Sequence, residues 1–282
     1  MRALWLAAWL TASLAAAQEA QLEVPVTTAP AEETGCARWR DRGLGEGPVA
    51  IGYAEADVAT GRRACPRTEF GVGVRFGAII DTPDFYGSLA VNGLVFGSYA
   101  LRDTTELFAT LEAVNYNFAQ NAVITSTQLT LGNLTAGATQ VLFDEGTFVG
   151  SVTARVLLPT SFEIPGARLL GGELGASASW RPQRWLEVHG YLGGDLSGAI
   201  GRGPGLPRGG AMLLVGAQLS PFDWGALVVD FSGRLGPLNY LAPTAALRFK
   251  IAQLGIELGA TLPIAGTDRH DIIAGARVNW RF

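Results

Sequence analysis

His270-Asp271-Ile272-Ile273-Ala274-Gly275-Ala276-Arg277-Val278-Asn279-Trp280-Arg281-Phe282 closes the chain, and its alternation sets the reading of everything before it. His270, Ile272, Ala274, Ala276, Val278, Trp280 and Phe282 fall on one face of an extended strand, and Asp271, Ile273, Gly275, Arg277, Asn279 and Arg281 on the other. The first face suits lipid and the second suits water. A tilted strand of about 9 to 11 residues crosses a bilayer, and apolar-out, polar-in alternation lets a closed sheet meet both solvents.

Composition agrees. Charged residues are 16% of the chain, against roughly 25% in an average soluble domain, and the mean hydropathy is positive. Beyond the N-terminus no segment approaches the roughly 18 consecutive apolar residues of a membrane-spanning helix. Glycine is abundant, with 37 residues, and the formal net charge is only -4. No basic stripe points to nucleic acid.

Met1-Arg2, the apolar run from Ala3 to about Leu14, and Ala15-Ala16-Ala17 have the layout of a secretory signal peptide, 1-17. Residues 18-68 form a lead, Pro/Thr-rich and acidic as far as Gly35, then bracketed by Cys36 and Cys65. In an exported chain those cysteines are expected to form a disulfide, pinning a small periplasmic cap or plug. Val49 to Val58 is a candidate extra strand, but it would make the count odd, which bacterial single-chain barrels avoid.

From Glu69 the chain divides into twelve alternating segments: 69-80, 89-102, 106-118, 128-142, 147-158, 169-180, 185-197, 211-220, 225-234, 244-251, 254-264 and the closing strand. Near Asn133 the alternation changes phase, the mark of a bulge. The fold expected is all-β, an antiparallel transmembrane β-barrel over 69-282. Links after even-numbered segments are short and those after odd-numbered segments longer, the asymmetry of periplasmic turns and outer loops. Trp180, Trp185, Trp224 and Trp280 all lie near the short-turn side, where an amphipathic ring favours the membrane interface.

Over Glu69 to Phe282 these features resemble the bacterial outer-membrane β-barrel class. The terminal Val278-x-Trp280-x-Phe282 looks like the signal by which the outer-membrane assembly machinery recognises its clients. The resemblance implies the outer membrane as location, and outer-membrane lipid and, through Phe282, that machinery as partners. It names no substrate.

Parity assigns a charged interior: Arg75, Glu112, Arg155, Glu173, Glu187, Asp195, Asp230, Arg234, Arg248, Lys250, Glu257, Asp271 and Arg277, together with His189. Seven are acidic and six basic apart from the histidine, so no single ion sign is favoured. Counting from the turns puts Arg248 opposite Glu257, Glu257 opposite Arg277, and Asp230 near Arg248 or Lys250. The function expected is a narrow passive channel or transporter for a small polar solute. The alternative is a structural or surface-interaction barrel whose lumen is filled by ion pairs, since buried charges need partners whatever the function.

A lipid-acting enzyme is the third reading. Turn counting sets Ser177 across from His189 with Glu187 nearby, but no oxyanion donor is identifiable and the group faces inward, so no catalytic residue is assigned. Neither cofactor nor metal is expected, because two cysteines and two separated histidines do not make a ligand set.

Overall fold

In a computed structural model, the described residues are 35-36, 48, 63-81, 86-120, 125-158, 169-199, 208-237, 239-266 and 271-282. The signal peptide, residues 18-34 and the candidate strand at 49-58 lie outside them. Fourteen β-segments form one antiparallel sheet: β1 (Glu69–Asp81), β2 (Tyr86–Arg102), β3 (Thr105–Gln120), β4 (Thr125–Thr130), β5 (Leu134–Asp144), β6 (Phe148–Leu158), β7 (Leu169–Gln183), β8 (Leu186–Ala199), β9 (Arg208–Phe222), β10 (Gly225–Leu235), β11 (Tyr240–Ile251), β12 (Leu254–Thr261), β13 (Ala265–Gly266) and β14 (Ile272–Arg281). β4 with β5, and β12 with β13, are single staves interrupted once, so the wall has twelve. It closes where β1 pairs with β14, Glu69 opposite Arg281 through Ala78 opposite Ile272.

Both interruptions have local causes. At Leu131-Gly132-Asn133 the chain leaves the ladder, and Gly132 N–H donates to the Glu112 carbonyl while Glu112 N–H donates to that of Asn133. A Cβ on Gly132 would lie 2.4 Å from Glu112 and Asn115 side-chain atoms, so only glycine fits this close approach. At Leu262-Pro263-Ile264 the ladder breaks beside Pro243. The Leu262 N–H still reaches the Pro243 carbonyl and the Ile264 N–H that of Leu241. Pro243, expected to end a loop, is therefore inside β11, opposite Phe231. Its missing N–H faces the interruption, where proline is tolerated in a sheet.

Period-two alternation sorts the side chains. Phe70, Val72 and Phe76 of β1, Leu192 and Leu196 of β8, Leu213 and Val215 of β9, and Val278 and Trp280 of β14 are exposed, forming a lipid-facing surface. Trp180, Trp185, Trp224 and Trp280 are exposed near the short-turn end. There Trp224 stacks between Phe222 (5.2 Å between centroids) and Phe249 (6.4 Å).

Candidate functional site

The opposite parity builds the interior. Glu69, Arg75, Glu106, Glu112, Glu173, Glu187, His189, Asp230, Arg234, Arg248 and Glu257 are buried, and Arg155, Asp195, Lys250 and Arg277 are partly so. Asp271 precedes β14 and is exposed, its N–H donating to the Ala78 carbonyl. In so little solvent a lone charge is costly, so paired geometry is the expected arrangement.

The pairs run between neighbouring staves and across intervening ones. Arg155 of β6 pairs with Glu173 of β7, which also accepts from the Tyr191 hydroxyl of β8. Arg75 of β1 lies 3.7 Å from Glu112 of β3. Arg234 of β10 passes over Gly210 of β9 to grip Asp195 of β8 at 2.7 Å. His189 Nε2 of β8 meets Asp230 Oδ1 of β10 at 2.7 Å over Gly216 of β9. Bare backbone at Gly210 and Gly216 makes these crossings possible. Between the charges lies an apolar inner patch of Tyr191, Met212, Leu214, Tyr240, Ala242 and Ile273.

Several registers expected from turn counting hold, and others shift. Arg248 is opposite Glu257 and bonds it at 2.6 Å. Glu257 is opposite Arg277, yet Arg277 instead donates to Glu69 at 2.9 Å and lies 3.6 Å above the Phe96 ring. Asp230 is opposite Thr244, while Arg248 is opposite Ala226, so Asp230 does not lie beside Arg248 or Lys250 as expected. The β10–β11 hairpin is tighter than expected because β11 starts at Tyr240. Lys250 instead lines a rim cleft with Ser220, Asp223, Trp224, Arg248 and Arg281.

The β7–β8 turn lies at Arg184-Trp185 and a one-residue bulge follows between Trp180 and Gln183, which together leave the register two residues from the expected one. Ser179 is therefore opposite His189 and Ser177 opposite Tyr191. With its Nε2 on Asp230 and Ser177 displaced, His189 does not assemble the triad considered from sequence.

Parity would also have placed Glu69 and Glu106 inside, since they share the faces of Arg75 and Glu112; their position at strand ends hid them. They meet the segment before β1. Arg63 Nη1 donates to Glu69 at 2.7 Å, and its Nη2 donates to Glu106 at 2.7 Å and to Ser98 Oγ at 2.9 Å. The Arg67 N–H donates to Glu106 at 2.7 Å. Burial alone would lower the Arg63 pKa, but the Glu106 and Glu69 carboxylates outweigh it and raise the pKa above arginine's ordinary value.

The disulfide joins Cys36 to Cys65, with Cα atoms 5.4 Å apart, and packs against Val141 and Val149. The Gly35 and Cys36 N–H groups donate to Asp144 at 2.9 and 3.1 Å. Across the ring, Arg248 Nη2 donates to the Pro48 carbonyl at 2.8 Å. Asp144 and Arg248 stand on the fourth and tenth of the twelve staves, so Cys36 and Pro48 are held at opposite sides of the short-turn end.

The twelve-stave wall, closed first strand to last, matches solved structures. An outer-membrane channel from Pseudomonas putida F1 superposes with a TM-score of 0.59 at 12% identity, covering 82% of this chain and 99% of that one. The KdgM porin, solved with disordered oligogalacturonate, superposes with a TM-score of 0.51 at 9% identity, covering 75% of this chain and 99% of that one. This is the fold of the bacterial outer-membrane β-barrels. No family model and no curated sequence matches the chain.

Proposed function

We propose that this outer-membrane barrel is a narrow passive channel or transporter for a small polar solute, its periplasmic mouth narrowed by the segment that precedes β1. The carrying observation is the interior of mixed charge, in which Arg155–Glu173, Arg234–Asp195, His189–Asp230 and Arg248–Glu257 are paired. Balanced charge suits a polar solute better than selection of one ion sign. The fold, shared with a channel and a porin, supports the same reading. An inner face that presents Asp195, Asp230, Glu173, Arg155 and Arg234 would take polar groups of either sign, provided that they are small. The anchors of Cys36 and Pro48 on opposite staves argue for a constriction at the short-turn end.

The test is conductance and solute flux of the purified barrel in planar bilayers, for the full mature chain and for a form lacking residues before Arg63. Conductance that rises on truncation is expected. No conductance or flux in either form would overturn the proposal. That result favours the second reading, a filled barrel, whose supporting observation is that Glu187 and Gln218 on the inner face are 0% exposed.

A further inference from the structure

The rim cleft at the short-turn end has an aromatic wall and a cationic one. Phe222, Trp224 and Phe249, the stacked rings, line it from the lipid-facing parity. Arg248, Lys250 and Arg281 line it from the inner parity, with Asp223 as the one carboxylate among its described lining residues. The two walls meet because the strands end here. The Lys250 N–H donates to the Trp224 carbonyl at 2.9 Å, which sets the root of the lysine beside that of the indole.

A glycine lets the cations converge. Lys250 of β11 is opposite Gly255 of β12, and Gly255 is opposite Asn279 of β14. A Cβ on Gly255 would collide with Arg281 Nη2 and Asn279 Oδ1, so the Arg281 guanidinium lies over bare backbone, directed from β14 toward β11. Arg248 is committed to Glu257 at 2.6 Å, while Lys250 and Arg281 are only half-buried. Like charges brought side by side repel, and an anion held between them turns that repulsion into charge-assisted hydrogen bonds. The long stems let both heads reach the rim while their methylenes stay on apolar surface.

The aromatic wall decides which anion. Phe222 and Trp224 are exposed, and an aqueous anion would use the cations and leave the rings in contact with nothing of its own. A molecule that carries a phosphate and acyl chains uses both walls, and the barrel's apolar surface already stands in such molecules. We propose that this cleft is a docking site for an anionic phospholipid of the leaflet at the short-turn end, with its headgroup phosphate between Lys250 and Arg281 and its acyl chains along Phe222, Trp224 and Phe249. The site rests on the outer-membrane location and not on the channel reading.

The test is local quenching of Trp224 in the full mature chain, refolded into phosphatidylcholine vesicles that contain a minor fraction of either brominated phosphatidylglycerol or brominated phosphatidylcholine. Subtracting the signal of Trp224→Phe isolates the Trp224 emission. Brominated phosphatidylglycerol is expected to be preferred about fivefold or more, the worth of one Lys or Arg near an anionic headgroup. Lys250→Gln and Arg281→Gln should each lower the preference severalfold. Arg184→Gln is the control, because Arg184 is exposed beside Trp185 at the next turn along the rim, and it should leave the preference unchanged. Equal quenching by the two lipids in the wild type would overturn the site. So would a preference that survives Lys250→Gln, or one that Arg184→Gln removes equally, which would mark a general surface charge. Should Arg281→Gln fail to fold, the wild type, Lys250→Gln and Arg184→Gln still decide. Quenching does not depend on transport, so failure here and absence of conductance are separate results.

Discussion

Alanine at position 216 probes whether the interior pairs depend on bare backbone beneath them. His189 and Asp230 meet at 2.7 Å from β8 and β10, and Gly216 of β9 is opposite both residues. An ideal Cβ on Gly216 falls 2.0 Å from Asp230 Oδ1 and 2.6 Å from His189 Nε2. Both backbones are held by antiparallel ladders on either side, so the side chains must part. Separating a buried pair whose members remain buried costs about 3–5 kcal/mol, and forcing an extra methyl into a packed site costs about 1–3 kcal/mol. The two are alternative outcomes of one clash, since swinging the carboxylate away relieves the overpacking. Gly216→Ala is therefore expected to destabilise the barrel by about 3 kcal/mol.

Urea unfolding in phospholipid vesicles, followed by tryptophan fluorescence, measures that loss. Gly194→Ala is the control, because its Cβ meets only the Gly210 carbonyl at 3.6 Å, and its effect should stay within about 0.5 kcal/mol. In a His189→Ala, Asp230→Ala background the clash is gone, and Gly216→Ala should then resemble the control. A Gly216→Ala cost no greater than that of Gly194→Ala would refute the reasoning. So would an undiminished cost in the double-alanine background.

Other perturbations follow from single features. Ala252, in the β11–β12 turn, has φ 52, a left-handed conformation that costs a non-glycine residue roughly 1–2 kcal/mol; Ala252→Gly should stabilise the barrel by up to about 1 kcal/mol once glycine's entropy is counted, and destabilisation on the same urea assay would contradict this. Trp224→Ala removes the middle ring of the Phe222–Trp224–Phe249 stack; at about 0.5–1.5 kcal/mol per aromatic pair, a loss near 2 kcal/mol is expected, with Trp224→Phe recovering part of it, and equal losses for the two variants would remove the stacking explanation. The Arg63 pKa is raised in the folded chain, so its contribution is complete below the unfolded value and lost only as pH rises through the higher folded one. From neutrality to about pH 10, below arginine's ordinary range, the stability gap between wild type and Arg63→Gln should stay flat; a gap that narrows with rising pH in that window would count against the ion pairs.

The sequence alone determined which face of each strand meets lipid, because period-two alternation is local and a one-residue slip exchanges every side chain between solvents. It likewise carried the twelve staves, through the contrast of short and long links. Neighbouring pairs such as Arg248 opposite Glu257 were within reach because the Ala252-Gln253 turn is tight and unbulged. Elsewhere the position of the turn changed the register: the β7–β8 turn at Arg184-Trp185, with a one-residue bulge beside it, set Ser177 opposite Tyr191 and not His189, and the early start of β11 separated Asp230 from Arg248. Tertiary structure alone decided the pairs that skip a stave, because His189 reaches Asp230 only where curvature and the missing side chain of Gly216 bring β8 and β10 within hydrogen-bond range. It also decided what the closing strand does inside: Arg277, opposite Glu257 as expected, turns its side chain to Glu69. There it shares a carboxylate with Arg63, a residue 214 positions earlier that no periodicity connects to it.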